Sequence, residues 1–122
     1  MFRAVGLALA LVPAIAFAQS PEGVWRTEPS KSGAWLEVSI APCGGALCGT
    51  ITGQHGTTKD LVGRRIIDGM KPDGPGRWSG GTIWAPDDDK TYRSKMSLDG
   101  NGLAVEGCVA VFCRGQRWTR LE

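Results

Sequence analysis

The sequence has few of the groups that enzymes use for catalysis. It contains a single histidine, His55, which lies in the polar segment 54–60. It also lacks a Gly-x-Ser-x-Gly nucleophile motif, since Ser79 is preceded by Trp78 and followed by Gly80. A Ser–His–acid hydrolase is therefore not expected, and His55 is interpreted as a solvated loop residue. We expect a protein that is not an enzyme and that carries no cofactor.

Runs of like charge that would bind nucleic acid are also missing. The 122 residues include 14 basic and 12 acidic side chains, and the basic ones form no stripe with interleaved aromatic residues.

Asp87-Asp88-Asp89 and Asp99-Gly100-Asn101-Gly102 offer oxygen ligands for a cation, but neither has the ligand spacing of an EF-hand loop. Hairpin turns favour the same residues. We therefore expect no nucleic-acid partner and no metal site.

A long apolar run occurs only at the N-terminus. Arg3 precedes apolar residues 5–15, and Ala16-Phe17-Ala18 has the small-x-small form of a signal-peptidase site. We predict that residues 1–18 are an export signal peptide, with an uncleaved anchor as the alternative. The run is short for a transmembrane helix and no stop-transfer segment follows it. The mature part, 19–122, is then expected to be one periplasmic or secreted domain without a membrane span.

Short alternating runs separated by turn residues dominate the mature part. The chain has 18 glycines and 7 prolines, and the pattern is typical of antiparallel β-structure. We predict an all-β fold of seven or eight short strands. A small up-and-down barrel is favoured over a sandwich because closure leaves no exposed strand edge. The residues predicted to face inward are Leu36, Val38, Ile40, Ile51, Met96, Leu98, Leu103 and Val105.

Four cysteines occur as two pairs with identical spacing, Cys43 with Cys48 and Cys108 with Cys113. An even number of cysteines in an exported protein favours disulfides. Strand alternation places each pair on one outward face, opposed across a four-residue hairpin loop and within disulfide reach. We therefore predict Cys43–Cys48 and Cys108–Cys113 bridges. The alternatives are a four-thiolate zinc site and a mixed pairing such as Cys43–Cys113.

The mature chain resembles a known family along its whole length. The matching segments are Gly23-Val24-Trp25, Pro42-Cys43-Gly44, Leu47-Cys48-Gly49, Lys71-Pro72-Asp73-Gly74, Trp78-Ser79-Gly80-Gly81-Thr82-Ile83, Pro86, Lys90-Thr91-Tyr92, Leu98-Asp99, Leu103, Val105, Gly107 and Trp118-Thr119-Arg120. These segments resemble the small secreted bacterial proteins grouped as a conserved domain of unknown function. The resemblance implies a lipocalin-like (calycin-type) barrel, and it brings no assigned catalytic residues.

Five tryptophans are many for a chain of this size. Trp25 and Trp118 are interpreted as packing where the first and last strands meet. Other aromatic residues fit a ligand cavity, where Tyr92 would orient a ligand beside an adaptable thioether and a glycine would leave space. The predicted cavity residues are Trp78, Trp84, Tyr92, Met96 and Gly107.

Two functions remain open at this point. The first is a non-catalytic binding module for a small apolar or amphipathic molecule. The second is an envelope protein-interaction module that has no small-molecule site. The volume of the barrel interior distinguishes them, because a filled interior favours the second.

Overall fold

The computed structural model describes residues 20–122. The predicted signal peptide and its cleavage site lie outside the described residues. Eight β-strands follow one another along the chain: β1 (Gly23–Arg26), β2 (Trp35–Cys43), β3 (Ala46–His55), β4 (Arg65–Pro72), β5 (Arg77–Ala85), β6 (Lys90–Asp99), β7 (Gly102–Val109) and β8 (Phe112–Arg120).

The eight strands form a closed antiparallel barrel. Each strand pairs with the next one in sequence, and β1 also pairs with β8. This last pairing places Trp25 opposite Arg120 and Arg26 opposite Thr119. The prediction of an up-and-down barrel of seven or eight strands is confirmed.

The strand directions divide the connections between two ends of the barrel. We call the end with the β2–β3, β4–β5 and β6–β7 turns the closed end, and the half of the barrel next to it the closed half. Residues 20–22 and 121–122 also lie there, where the Val24 N–H donates to the Glu122 carbonyl at 2.8 Å. The opposite, open end carries the connections 27–34, 56–64, 86–89 and 110–111.

The hydrophobic core fills the closed half and extends into the adjoining part of the other half. Alternate residues of each strand point inward, and the most deeply buried large side chains are Trp25, Trp118, Ile40, Ile51, Ile67, Met70, Leu103 and Val38. Trp25 and Trp118 lie on the two strands that close the barrel, as predicted. Seven of the eight residues predicted to face inward are buried in this core, and Leu98 packs against it.

A β-bulge in β4 buries two consecutive residues. Gly49 of β3 pairs with Ile67, whereas the next residue, Thr50, pairs with Arg65. Ile66 is therefore the extra residue of the bulge, and a bulge sets two residues against one on the partner strand. Ile66 and Ile67 are both buried as a result.

Both predicted disulfides are present, and each lies within one hairpin. The predicted four-residue loops are wrong, because strand pairing continues on both sides to a two-residue turn. At the closed end that turn is Gly44-Gly45, where both residues have positive φ, the conformation that favours glycine.

The two disulfides differ in strand register. Cys43 pairs with Ala46 and Ala41 with Cys48, so the first bridge runs diagonally across the hairpin, with Cα atoms 5.8 Å apart. Cys108 lies directly opposite Cys113, and their Cα atoms are 4.0 Å apart. The predicted opposition of the two cysteines therefore holds only for the second pair.

Candidate functional site

The open half of the barrel contains a cavity of about 780 Å³. The burial pattern of β8 shows where the core stops. Arg114, Gln116 and Trp118 share the inward face of this strand, yet only Trp118 is buried. A small-molecule pocket commonly measures about 300–1,000 Å³, so this cavity is large enough for a ligand of moderate size.

Apolar side chains form the deep wall of the cavity: Leu36, Leu61, Ile66, Val105 and Trp118. Ile66 reaches this wall because the β4 bulge turns it inward. Four of the five residues belong to strands, and all five are continuous with the hydrophobic core. The deep part of the cavity therefore suits an apolar group.

The 56–64 loop supplies the fifth apolar residue, Leu61. The Gln54 side chain holds the loop in place, since its Oε1 accepts the Leu61 N–H at 2.9 Å and its Nε2 donates to the carbonyl oxygens of Thr57 and Lys59. The Lys59 ammonium reaches the next connection and donates to the Pro86 carbonyl at 3.3 Å. Side-chain hydrogen bonds thus fix two connections at the mouth.

Polar groups gather near the mouth. The Tyr92 hydroxyl donates a hydrogen bond to Asp88 Oδ2 at 3.0 Å. This hydrogen bond raises the pKa of Tyr92 above its ordinary value, with desolvation and the charge of Asp88 acting in the same direction and the charge of Arg114 opposing them. Tyr92 therefore keeps its proton and remains a hydrogen-bond donor at neutral pH.

Gly107 lies on the wall of the cavity between two larger side chains. A Cβ atom built on Gly107 would lie 3.2 Å from Ile83 Cγ2 and 3.5 Å from Tyr92 Cβ. These distances place Ile83 and Tyr92 on the inner surface beside it. A long side chain at position 107 would therefore extend into the cavity.

Trp84 holds the mouth together from the outside. Its neighbour Ile83 faces inward, so strand alternation directs Trp84 outward. The Arg64 guanidinium stacks on the indole ring at 3.9 Å, and the indole N–H donates to Asp89 Oδ1 at 2.9 Å. Trp84 thus borders the cavity while joining the 56–64 and 86–89 connections.

Trp78 and Met96 lie in the core instead of at the cavity. They are paired residues of β5 and β6 in the closed half, and both are buried. Trp78 also borders a smaller depression at the closed end. Of the five predicted cavity residues, the structure brings Trp84, Tyr92 and Gly107 together at the cavity of the open half.

Arg114 and Gln116 line the cavity but were not predicted from the sequence. Their charge and polarity are typical of solvent-facing residues, so they drew no interpretation. A usable signal was nonetheless present, because they alternate with Trp118, a residue expected to be buried. Polar residues at inward positions of a barrel strand indicate that the interior is not filled there.

Comparison with known proteins places the chain in a family. A model described as "Uncharacterized protein conserved in bacteria (DUF2147)" matches residues 23–120. The chain belongs to the DUF2147 family. The resemblance noted in the sequence is therefore confirmed. No curated protein matches the sequence significantly.

The barrel of this DUF2147 protein is similar to a solved structure from Helicobacter pylori. That protein, HP1028, is described as belonging to the lipocalin family. The sequences are 16% identical, the match covers 84% of each chain, and the TM-score is 0.71. At this identity the similarity shows a shared lipocalin-like fold.

The cysteine pairs of this DUF2147 protein do not form a zinc site. The two bridges lie at opposite ends of the barrel, so the four sulfurs are not grouped around one position. Each pair has a carboxylate nearby, Asp68 or Glu106. Cys48 Sγ lies 3.4 Å from Asp68 Oδ1, but a disulfide sulfur has no proton to donate and is not a thiolate ligand.

His55 is part of an aromatic stack on the outer surface. The prediction that it lies in a loop is wrong, since it is the last residue of β3. Its ring stacks on Trp35 with centroids 3.8 Å apart, its Nε2 lies 2.8 Å from Glu37 Oε2, and Arg26 covers Trp35 at 4.1 Å. Gln54 and His55 pair with Leu36 and Trp35 of β2, so β3 continues through these two residues instead of ending before them.

The β7–β8 turn exposes an apolar tip beside the mouth, which we call the 109–112 tip. Val109, Val111 and Phe112 are 60%, 86% and 79% exposed. Ala110 has a positive φ of 55°, and its carbonyl accepts a hydrogen bond from Arg93 Nη2 at 2.9 Å. The Cys108–Cys113 bridge closes the base of this turn. Val109 and Phe112 also border the cavity, whereas Val111 does not.

One further structural feature concerns membranes. Within residues 20–122 there is no helix of the length and apolar character needed to cross a membrane.

Proposed function

We propose that this DUF2147 protein is an exported, non-catalytic binding module that holds one small apolar or amphipathic molecule in the open half of its barrel. The cavity of about 780 Å³ carries the proposal. Its deep wall is apolar and its polar groups lie near the mouth, which is the usual distribution in small-molecule sites.

Two disulfides support the export part of the proposal. Disulfides persist in oxidising compartments and are rare in reducing ones. The signal-like segment at residues 1–18 indicates the same route. The compartment proposed is the periplasm or the extracellular medium.

The residues around the cavity support a binding role more than a catalytic one. His55, the single histidine of the sequence, lies on the outer surface of the barrel. Inside, the Tyr92 hydroxyl donates to Asp88, and its raised pKa disfavours the phenolate that a general base would need. These groups are suited to orienting a ligand.

Titration with an apolar fluorescent dye tests the proposal. Gly107→Leu places a side chain inside the cavity, whereas Ala104→Leu adds the same side chain on the outer face of β7, opposite Arg117. We expect saturable binding by the parent protein and by Ala104→Leu, and binding weakened at least about tenfold, or ~1.4 kcal/mol, in Gly107→Leu.

Circular dichroism must show that both variants are folded. Equal binding by the two leucine variants would place the dye outside the cavity. Absence of binding by a series of apolar dyes and acyl chains to the parent protein would overturn the proposal.

The 109–112 tip favours a second candidate function, docking onto another envelope protein. Neighbouring apolar side chains that are exposed on a folded surface can mark a site of interaction with another protein. A photo-crosslinking amino acid at position 112 tests this candidate in the native host, with position 62 as the control, because Val62 is also exposed but lies in a different connection. A crosslink specific to position 112 supports docking, and equal labelling at both positions contradicts it.

A further inference from the structure

Arg114 is a cationic residue of the cavity wall that has no direct partner in the described part of the chain. It projects from the inward face of β8, opposite Gly107, so no side chain covers it from the neighbouring position. Within residues 20–122 its guanidinium has neither a hydrogen-bond partner nor an ion-pair partner, although five ion pairs occur elsewhere in that part of the chain.

The acidic residues that border the cavity have other partners. Asp88 Oδ2 accepts a hydrogen bond from the Tyr92 hydroxyl at 3.0 Å. Asp87 lies 3.9 Å from the Lys59 ammonium, and Glu28 Oε1 accepts the backbone N–H of Arg117 at 3.0 Å. Each of these three carboxylates therefore already has a hydrogen-bond or ion-pair partner, whereas the Arg114 guanidinium has none among the described residues.

We propose, resting on the binding function above, that Arg114 receives the carboxylate of an amphipathic ligand whose apolar chain extends toward Trp118. An arginine binds a carboxylate through two parallel N–H···O hydrogen bonds. Gln116 contributes to the same site, since its Oε1 accepts the Trp118 indole N–H at 2.9 Å and its amide nitrogen is left to donate.

The depth of the cavity fits a chain attached to such a carboxylate. Arg114 and Trp118 are four residues apart on one strand, which corresponds to roughly 13 Å along that strand. The wall between them contains Val105 and Ile66, both apolar and buried. A medium-length acyl chain would follow this wall from the charged mouth to the indole.

The surroundings of Tyr92 support the position of the positive charge. Arg114 acts on the Tyr92 hydroxyl in the direction that lowers its pKa, opposite to Asp88. The guanidinium therefore faces the same polar region as the hydroxyl. A carboxylate bound to Arg114 would have the Tyr92 hydroxyl as a neighbouring polar group.

Three probes with the same twelve-carbon chain test the inference: dodecanoate, 1-dodecanol and dodecyltrimethylammonium. Each is titrated against the parent protein by displacement of a bound apolar dye, below micelle-forming concentrations. We expect dodecanoate to bind at least about tenfold more tightly than the alcohol, the lower end for a hydrogen bond to a charged group, and the ammonium probe to bind most weakly.

Two variants at position 114 separate the charge from the cavity. Arg114→Gln should remove the preference for dodecanoate over 1-dodecanol, and Arg114→Lys should restore part of it. Arg65→Gln is the control, because Arg65 is an exposed arginine of β4 that pairs with Asp68, and it should keep the full preference.

The outcomes distinguish this inference from the proposed function. Equal affinity of the parent protein for dodecanoate and 1-dodecanol, or tighter binding of the ammonium probe, would overturn the carboxylate site and leave the binding function standing. A preference that survives in Arg114→Gln would also overturn it. Failure of all three probes and of the dye to bind would overturn both.

Discussion

The closed and open halves of the barrel are built from the same eight strands, yet one is solid and the other is hollow. In the closed half the inward positions of β2 hold Val38 and Ile40, which are buried in the core. In the open half the inward positions of β8 hold Arg114 and Gln116, which remain exposed. Inward orientation is therefore common to both halves, whereas filling depends on the side chains that meet at each level.

The comparison separates two demands on a small barrel. The closed half supplies most of the buried apolar surface, which is limited in a domain of this size. The open half contributes less packing and is held by hydrogen bonds between its connections and by the Cys108–Cys113 bridge. Stability and binding are thus expected to respond to substitutions at different ends.

The largest expected effect comes from placing a charge in the closed half. Val38→Asp should unfold the domain, because Val38 is fully buried and an unpaired carboxylate there has no hydrogen-bond partner. Val111→Asp makes the same change at the exposed 109–112 tip and should leave stability within about 0.5 kcal/mol of the parent. Far-UV circular dichroism and thermal unfolding measure both, and a folded, cooperative Val38→Asp variant would contradict the assigned core.

Two paired isoleucines allow a matched test of the boundary between the halves. Ile67 and Ile83 are Cα partners on β4 and β5, but Ile67 is fully buried whereas Ile83 borders the cavity. Ile67→Ala should reduce the free energy of unfolding by about 2–5 kcal/mol. Ile83→Ala should reduce the free energy of unfolding by less than about half of that amount, because the Ile83 side chain already borders the open cavity. Urea unfolding measures both, and equal losses would mean that the open half is packed like the core.

Removing each disulfide compares the two hairpins. The paired cysteines are five residues apart in both, so the chain-entropy term is the same, about 2 kcal/mol for each. We expect similar losses for Cys43→Ala/Cys48→Ala and for Cys108→Ala/Cys113→Ala. Dye binding should weaken only in the second double variant, which loosens the mouth. Weakened binding in the first variant alone would argue against a site at the open end.

The smallest expected effect concerns the titration of Tyr92. Its pKa is raised in the folded state, so the folded protein holds this proton more tightly than the unfolded chain. The corresponding stabilisation is fully present below the ordinary tyrosine pKa and is lost as the pH rises through the folded-state value. Tyr92→Phe should flatten this alkaline loss of stability.

Asp88→Asn should lower the pKa of Tyr92, because it removes the negatively charged carboxylate that accepts the hydrogen bond from the hydroxyl. Since Tyr92 is the one tyrosine of the chain, ultraviolet absorbance follows its ionisation directly. An unchanged titration curve in Asp88→Asn would show that the hydrogen bond does not hold the proton in solution.

The sequence predicted the face of each side chain better than its depth along the barrel. Alternation places Tyr92 and Met96 on one face of β6, and both do point inward. They are four residues apart, however, which is roughly 13 Å along a strand. Met96 therefore lies in the core and Tyr92 at the cavity. This difference depends on how the eight strands are aligned with one another, which the alternation within one strand does not show.

Arg114 and the cysteine turns show two other limits of the sequence pattern. A charged residue on a strand is usually solvent-facing, so the sequence indicates that Arg114 faces inward only through its alternation with Trp118. The spacing of Cys43 and Cys48 predicted a bridge within one hairpin, but it did not distinguish a diagonal arrangement from a direct one. That choice depends on where the Gly44-Gly45 turn begins.

The closure between β1 and β8 has a consequence for how the barrel folds. Seven of the eight strand pairings join neighbours in sequence, whereas this one joins residues 25–26 to 119–120 through two register pairs. Local hairpins form quickly, but contacts between distant parts of a chain are slow because the intervening loop must be ordered first. We therefore expect closure to be the late, rate-limiting step, and this seam to be where the folded barrel first opens to solvent exchange.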